Sequence, residues 1–425
     1  MWAARSFDPQ TTASAGLTLA LGFVMLASFF SGQIAGSLGL PKLTGYLAIG
    51  VIAGPGVLGL LGTGTVERMQ LVNGVAISLI ALTAGGELSF RRTRPLLRSI
   101  AWITLIAVVG TTLLLAGAVL LLRPLLPFVA SLDTSEALSA ALVLGIVLAA
   151  QSPAVVIAVR SELRADGPVT RTLLGVVVVA DLVIIVLFAL GSAVARATFD
   201  GEADAIGTLA TLAWELFGSM GAGLVAGGVL LLYLSRVRGG ASLFVVGLCI
   251  VIAEVGTELR LDPLIAALTA GVLVENASDE GHRLLEEIAG ASLPLYLVFF
   301  AVAGANIHLD TLATVGVPAV VLVAVRAVGL LGGTRLATGV AGGPPVVGRY
   351  VGFGLLPQAG LAIALSLLFA RTFPELREAA ALTMAVVAIN ELVAPVFFRR
   401  ALIRSGEGRV GDDLGVDPTV DAAES

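Results

Sequence analysis

The amino-acid sequence predicts an all-α polytopic membrane protein, and three observations support that fold class. The chain of 425 residues is 57% hydrophobic and only 13% charged, with a mean hydropathy of +1.00, which is too apolar for a domain that folds in water. Apolar stretches long enough to cross a bilayer, about 20 residues, recur along the chain. Two of these stretches are interrupted by proline at matching positions.

Charged or Gly/Pro-rich joints divide the chain into thirteen predicted transmembrane helices. Residues 1–13 carry one charge of each sign, and no clear small-residue cleavage site follows, so we interpret the first span as an uncleaved helix. In order, the predicted spans are 15–38, 44–60, 70–90, 100–122, 137–159, 169–194, 206–234, 242–258, 264–275, 289–307, 312–340, 350–371 and 379–398.

Basic residues are divided unevenly between the two sides of the predicted membrane domain, residues 1–404. Loops and helix ends reached after odd-numbered spans hold seventeen Lys and Arg, the other side holds seven, and Arg326 lies inside the eleventh span. The positive-inside rule therefore predicts a cell-membrane protein with its N-terminus outside and its C-terminus in the cytoplasm. The tail, residues 405–425, is expected to be disordered. It is too short for a nucleotide-binding regulatory domain.

Proline interrupts the fifth and the twelfth spans, at Pro153 and Pro357. Each is the fifth span of a set of six, which predicts two six-helix repeats, at about 14–196 and 240–402, joined by a linker helix at 206–234. Because each repeat has an even number of spans and one helix separates them, the two repeats enter the membrane from opposite sides. Crossed discontinuous helices in inverted repeats are the best sequence indication of a transporter binding site.

Asp181 is the one acidic residue of the apolar sixth span. An ionised carboxylate at the bilayer centre costs about 3 kcal/mol on insertion scales, so a carboxylate kept there is usually functional. Gln151 and Ser152 supply neutral oxygens at the first break, and oxygen ligands suit a hard monovalent cation. Desolvation favours the neutral form of a buried carboxylate, so protons compete with that cation. A carboxylate that holds either H+ or a cation, but not both, exchanges one for the other.

Arg326 carries a permanent charge within an apolar span and therefore needs a partner. Asp181, Glu391 and the carbonyl groups of the broken helices are the alternatives, and we expect Arg326 to face the site and balance its charge. Other polar residues in apolar spans are secondary candidates for the ion site, although the carboxylates among them also suit helix packing. These candidates are Gln358, Asn390, Glu391 and Glu254.

The sequence predicts no cofactor and no resident metal site. Cys249 is the single cysteine, which excludes a disulfide. His282 and His308 fall in predicted loops and lack the spacing of metal ligands, so we interpret both as solvated loop residues.

The segment 41–59, with Gly45-Tyr-Leu-Ala-Ile-Gly50 and Gly54-Pro55, resembles the second-span signature of the monovalent cation:proton antiporters with the sodium/hydrogen exchanger fold, including cation:proton antiporter-2-like proteins. The resemblance covers nearly the whole membrane region. Further similar residues lie at 87–94, Gln151-Ser-Pro153, Asp181, Glu254-Val-Gly256, Ala270-Gly271, Arg326 and Glu391-Leu-Val-Ala-Pro395.

The resemblance implies a homodimer in which a core domain moves against a dimerisation domain. It also implies that Asp181 carries the ion and the proton, that Arg326 lies beside it, and that Ser152 is a ligand or a helix-break residue. Two residues depart from the pattern: Ala180 stands where relatives have Asp or Asn, and Gln151 where many have Thr. With one carboxylate and a permanently charged arginine, exchange of one H+ for one Na+ or K+ is predicted to be electroneutral.

Two other functional classes remain open at the sequence level. A cation-coupled transporter of an organic solute or anion uses similar inverted repeats, and a non-transporting sensor on the same scaffold would account for Ala180 and Gln151. An enzyme is not expected, because no nucleophile and base are paired in the sequence. The expected partners are Na+ or K+, H+ and the lipid bilayer, without nucleic acid.

Overall fold

The computed structural model describes residues 12–199, 213–237, 240–278, 281–307, 309–358 and 378–408, together with residues 210, 361–363, 365–366, 369, 373 and 376. The described residues form helices and no strands. The longer helices are α1 Thr12–Ser37, α2 Lys42–Ala53, α3 Gln70–Glu87, α4 Arg94–Leu121, α5 Thr134–Ala149, α6 Pro153–Leu163, α7 Pro168–Phe199, α8 Trp214–Arg236, α9 Ala241–Leu259, α10 Pro263–Ala277, α11 Gly281–Ala305, α12 Leu309–Ala341, α13 Pro345–Gly354 and α14 Glu378–Arg404.

Seven of the described helices are long and apolar enough to cross a membrane, when α5 and α6 are counted as one span, and five shorter helices are also apolar. The α5–α6 span is interrupted at 150–152 and the twelfth predicted span after Gly354, as the prolines predict. Ser152 caps α6, because its hydroxyl accepts the Val155 N–H at 3.3 Å, and Pro153 occupies the first turn, where its missing N–H is not needed.

Two sequence expectations about the helices need correction. The second span ends at Ala53, not at residue 60, because Gly54 and Pro55 end the helix and the chain then turns. His282 lies in α11 rather than in a loop, since Leu284 and Ile288 are buried one turn apart and extend the helix beyond its apolar part. His308 lies outside the described residues.

The tail was also expected to be disordered from residue 405 onward, and its first residues are instead folded. Ser405 and Gly406 donate backbone hydrogen bonds to Ala401 and Ile403, and the Gly408 N–H returns to the Leu402 carbonyl at 3.1 Å. Gly406 has a φ of 80°, a left-handed conformation that glycine adopts without strain. Residues 409–425 lie outside the described part of the chain.

The helices pack as two groups. The scaffold group, α1–α3 with α8–α11, is centred on α3 and α10. Gly85 and Gly271 lie where these two helices cross, and a Cβ on either one would overlap the other helix's backbone, so the helices touch directly. The core group, α4–α7 with α12–α14, is arranged around α5, α7 and α12.

A continuous hydrophobic cluster joins the two groups. Leu47, Ile80 and Phe300 belong to the scaffold group, and Val156 and Val177 belong to the core group. All five side chains are buried. The face of the core group that carries the breaks therefore packs on an apolar wall, which excludes water from the polar residues beside it.

Candidate functional site

The first break, between α5 and α6, leaves polar oxygen atoms without donors. Ala150 is extended (φ −56°, ψ 146°), so the helical hydrogen bonds stop there. Gln151 is fully buried, and its Nε2 donates to the Ala149 carbonyl at 2.6 Å. Its Oε1 has no hydrogen-bond partner among the described residues. The Ser152 hydroxyl also lies here, and among the described residues it accepts a hydrogen bond from the Val155 N–H. Within the described part of the chain, the first break thus presents two side-chain oxygens, of Gln151 and Ser152, that can still accept hydrogen bonds or bind a cation.

Asp181 lies on α7, which packs against α5. Its neighbours Ala180 and Ile184 belong to the same hydrophobic cluster as Leu148 and Ala150 at the first break. Asp181 is only 6% exposed, and its Oδ1 accepts no hydrogen bond from any described residue. A buried carboxylate oxygen without a hydrogen-bond donor is a strong acceptor that can bind a cation or a proton.

A cavity of about 40 Å³ lies at the contact between the two helix groups. The core side contributes polar Gln151 and Ser152, whereas the scaffold side is apolar. Asp181 is not among the lining residues. The scaffold and core residues that form the wall include Ile80, Leu264, Leu268, Phe299 and Leu361.

Arg326 is fully buried on α12 and contacts both breaks. Its Nε donates to the Leu148 carbonyl at 2.9 Å and its Nη2 to the Ala150 carbonyl at 2.9 Å. At the second break, Nη1 donates to the Leu356 carbonyl at 2.5 Å and Nη2 to the Leu355 carbonyl at 3.0 Å. These carbonyls lie at the C-terminal ends of α5 and α13, where the helix dipoles are negative.

Arg326 therefore balances half-helix carbonyls, one of the alternatives left open by the sequence. The ion pairs among the described residues are Glu87–Arg160 and Asp166–Arg171, so the guanidinium of Arg326 does not pair with Asp181. Its four bonds hold the two breaks against each other.

Gln358 and Asn390 form hydrogen bonds with other groups of the protein. The Gln358 amide donates to the Leu148 carbonyl at 2.8 Å and to the Ala150 carbonyl at 3.2 Å, and its Oε1 accepts from Asn390 Nδ2 at 2.7 Å. Asn390 Nδ2 also donates to the Val386 carbonyl at 3.1 Å. These two candidates thus link α14 and the second break to the first break, and the carbonyl oxygen of Gln358 is already occupied.

The two remaining carboxylate candidates lie in different environments. Glu391 is 3% exposed on α14, next to Asn390, and forms no ion pair with a described residue. Glu254 is exposed on α9, on the outward face that also carries Val251 and Val255. The structure therefore does not bring Glu254 to the breaks, and its apolar sequence neighbours concealed that outward orientation.

Sequence analysis missed an ion pair between the two helix groups. Glu87 at the end of α3 contacts Arg160 of α6, and a polar cavity of about 130 Å³ lies beside them. Asp166, Arg171 and Glu275 also line this cavity. Both members of the pair lie at span ends on the same predicted side of the membrane. Their opposite charges on that side could have predicted the contact.

Comparisons with known proteins agree with this architecture. The profile of the family "Sodium/hydrogen exchanger, transmembrane" matches residues 24–404. Two structures of the sodium proton antiporter MjNhaP1 from Methanocaldococcus jannaschii, each 16% identical to this chain, share the fold. The structure at pH 8 has a TM-score of 0.66 and covers 92% of this chain and 96% of its own. The structure from an electron-microscopy map has a TM-score of 0.73 and covers 94% and 98%.

A further likeness is to the iron transporter MagA of Paramagnetospirillum magneticum. It is 26% identical over 283 residues, which are 66% of this chain and 62% of that protein. The chain therefore matches less than two thirds of the length of this relative. With the family profile extending over nearly the whole membrane region, the chain is a multi-pass membrane protein that belongs to the sodium/hydrogen exchanger family of monovalent cation:proton antiporters.

Proposed function

We propose that this protein exchanges a monovalent cation, Na+ or K+, for H+ by alternating access of a single-carboxylate site at Asp181. The observation that carries the proposal is two buried oxygens without donors among the described residues. Asp181 Oδ1 lies on α7, and Gln151 Oε1 lies in the break that follows α5, the helix against which α7 packs. A buried acceptor left unpaired costs about 1–3 kcal/mol. A bound cation or proton removes that cost.

The size of the cavity at Gln151 and Ser152 favours an ion over a larger substrate. A cavity needs roughly 10–15 Å³ to hold one water molecule. The cavity of about 40 Å³, which Asp181 does not line, therefore admits a partly dehydrated monovalent cation beside the first break. An organic solute, the alternative left open by the sequence, requires more space than that.

The charge arrangement supports electroneutral exchange. Arg326 keeps its proton at any physiological pH and already contacts four carbonyl groups. Asp181 is then the one titrating group of the proposed site, and replacing H+ by a monovalent cation leaves the charge of the site unchanged. Glu391 is also buried, and if its carboxylate titrated during transport, the exchange would be electrogenic. A potential-sensitive dye in proteoliposomes separates the two: a cation gradient that generates a membrane potential through this protein rules out one-for-one exchange.

The main test is proton flux in proteoliposomes with Na+, K+ or Li+, comparing wild type with Asp181→Asn and Glu254→Gln. We expect exchange with at least one cation, its loss in Asp181→Asn, and its retention in Glu254→Gln, because Glu254 is exposed on α9. Retained exchange in Asp181→Asn contradicts the proposal. Fe2+ is included as a competing ion because of the likeness to MagA, although no group of three metal-ligating side chains occurs among the described residues.

The proposed arrangement in the membrane has thirteen spans in two inverted repeats joined by a linker helix, and two copies form a homodimer with the C-termini in the cytoplasm. Cys249 is the single cysteine, so a Cys249→Ala background allows topology mapping by single added cysteines. We expect Ser405→Cys to react with an impermeant thiol reagent only from inside and Thr134→Cys only from outside. Reaction of both from one side excludes this arrangement. Cross-linking in membranes tests the dimer.

A further inference from the structure

The chain returns from the end of α14 to the start of α7, the helix that carries Asp181. The Glu407 carboxylate accepts the Val169 N–H at 2.6 Å through Oε1. Its Oε2 accepts the Thr170 N–H at 2.8 Å and the Thr170 hydroxyl at 2.7 Å. A residue 237 positions further along the chain than Thr170 therefore caps this helix.

The cap satisfies the donors that α7 leaves free. The first residue of the helix, Pro168, has no N–H, and the Arg171 N–H already bonds the Gly167 carbonyl at 2.9 Å. The Val169 and Thr170 N–H groups are the remaining donors of the first turn, and both point to Glu407. A carboxylate at this end also meets the positive end of the helix dipole.

The residues around the cap leave space for the Glu407 side chain and fix its backbone. Gly167 lies against Glu407, and a Cβ at that position would overlap the Glu407 side chain. Thr170 is buried. The turn at Gly406 and the Gly408 N–H to Leu402 carbonyl bond fix the backbone on both sides of Glu407. The carboxylate is thus held in place by the fold and does not meet the helix as a flexible chain end.

This contact closes a circuit of bonds around the breaks. Glu407 ties α7 to the end of α14, and α14 carries Asn390, which donates to Gln358. Gln358 in turn donates to Leu148 and Ala150 at the first break. Beside the first break, α7 contacts α5 by apolar packing, which sets the position of a helix along its axis less strictly than directional hydrogen bonds. A hydrogen bond between the Thr198 and Ser139 hydroxyls, 3.0 Å long, also joins α7 to α5, but it lies near the end of α7 opposite the cap.

We propose that Glu407 is a positioning residue of the cation site, which sets the position of Asp181 relative to the first break. The inference rests on the proposed function of Asp181. Asp181 lies about three turns from Thr170 on one continuous helix, so an axial displacement at the cap is transmitted to the carboxylate. Displacements of about 1 Å have large effects on a preorganised site.

The test measures the half-saturating cation concentration and the maximal proton flux in proteoliposomes. The full-length variants are Glu407→Ala, Glu407→Gln and Gly167→Ala, with Gly339→Ala as a matched control, since a Cβ at Gly339 meets nothing within 4 Å. We expect Glu407→Ala to raise the half-saturating concentration by roughly tenfold, in line with the loss of a charged helix cap. Gly167→Ala should shift it in the same direction by displacing the carboxylate. Glu407→Gln should shift it less, because an amide oxygen still accepts one N–H, and Gly339→Ala should match wild type.

A purely structural role predicts a different pattern. The variants would then reduce the amount of folded protein in size-exclusion chromatography while the half-saturating concentration of the surviving protein stays at the wild-type value, and that result overturns the inference. If Glu407→Ala does not fold, Glu407→Gln and Gly167→Ala give the answer. Loss of the proposed function itself is recognised separately, because wild type would then show no exchange or Asp181→Asn would retain it.

Discussion

The two helix breaks have the same kind of sequence but use their polar groups differently. At the second break, Gln358 donates to the first break and accepts from Asn390, and the Leu355 and Leu356 carbonyls accept from Arg326. At the first break, the side-chain oxygen of Gln151 has no donor in the part of the chain that the structure describes. Among the described residues, the side-chain oxygen of Gln358 is thus paired and that of Gln151 is open. This difference agrees with the proposal that the second break holds the structure and the first binds the ion.

Arg326 is the group that makes this division of roles possible. Two half-helices end at the same place, and their unpaired carbonyls would carry negative partial charge into a buried region. The guanidinium of Arg326 compensates that charge by donating hydrogen bonds to these carbonyls. The carboxylate of Asp181 is consequently not needed as the counter-ion of Arg326, as the proposed function requires.

The largest expected effect follows from removing Arg326. In Arg326→Met, the carbonyls of both breaks lose their charged donor, and the Leu355 and Leu356 carbonyls have no other described donor. We expect a loss of more than about 3 kcal/mol in the free energy of unfolding. Fluorescence-detected size-exclusion chromatography with a thermal ramp measures it.

Arg335→Met is the matched control, because Arg335 lies on the same helix with an exposed side chain. It should behave as wild type. If Arg326→Met is as stable as Arg335→Met, the two breaks do not depend on the guanidinium and the comparison loses its basis.

The next prediction concerns the second break. Gln358→Leu removes two bonds to carbonyls and one of the two described acceptors of Asn390 Nδ2, which keeps its bond to the Val386 carbonyl. Arg326 still donates to the Leu148 and Ala150 carbonyls. We expect a loss of about 1–3 kcal/mol in the free energy of unfolding. In the protein that remains folded, the half-saturating cation concentration should change little. A large change in that concentration at normal stability would make Gln358 an ion ligand and reverse the assignment of roles.

The open break should respond in the opposite way. Gln151→Leu removes an oxygen that has no donor among the described residues, together with the bond from Nε2 to the Ala149 carbonyl. The expected loss in the free energy of unfolding is about 1 kcal/mol. Loss of the Gln151 oxygen as a ligand should raise the half-saturating cation concentration strongly. Gln151→Glu keeps an oxygen at that position and should raise it less. Proton flux as a function of cation concentration measures both. Unchanged cation dependence in Gln151→Leu would remove Gln151 from the site.

Much of this comparison was predictable from residue types. Pro153 and Pro357 predict both breaks because proline interrupts helical hydrogen bonding regardless of the surrounding fold. Asp181 and Arg326 were identified because a charge in an apolar span needs an explanation. These inferences depend on local chemistry, and they place the interruptions and the charged residues in the helices that the structure shows.

The roles of the polar residues were not predictable in the same way. Gln151 and Gln358 are the same residue type at matching breaks, and only the tertiary contacts decide which amide is occupied. Glu254 looks buried in sequence because all its neighbours are apolar, yet an outward helix face in a membrane protein is apolar too. Glu407 lies in a polar tail and contacts a helix more than two hundred residues away, for which no sequence periodicity exists.

The smallest expected effect concerns the far end of α5, the helix that ends at the open break. Asp133 caps this helix: its Oδ1 accepts the Glu136 N–H at 2.8 Å, and Glu136 returns a bond to the Asp133 N–H. The Glu136 N–H holds the pKa of the Asp133 carboxyl below its usual range, and the Ser135 hydroxyl adds to this. A lowered pKa in the folded state means that the stabilisation is present above the unfolded pKa and is lost as pH falls through the folded pKa.

Asp133→Ala should therefore lower the unfolding temperature slightly near neutral pH, and the difference from wild type should vanish in acid. Asp133→Asn keeps an oxygen acceptor and loses the charge, so it should retain part of the stability without the pH dependence. Because the cap lies a full helix length away from Gln151, neither variant should alter the half-saturating cation concentration. A shift in that concentration would mean that α5 transmits changes from its capped end to the open break, and the first break would then be less independent of its helix than the second.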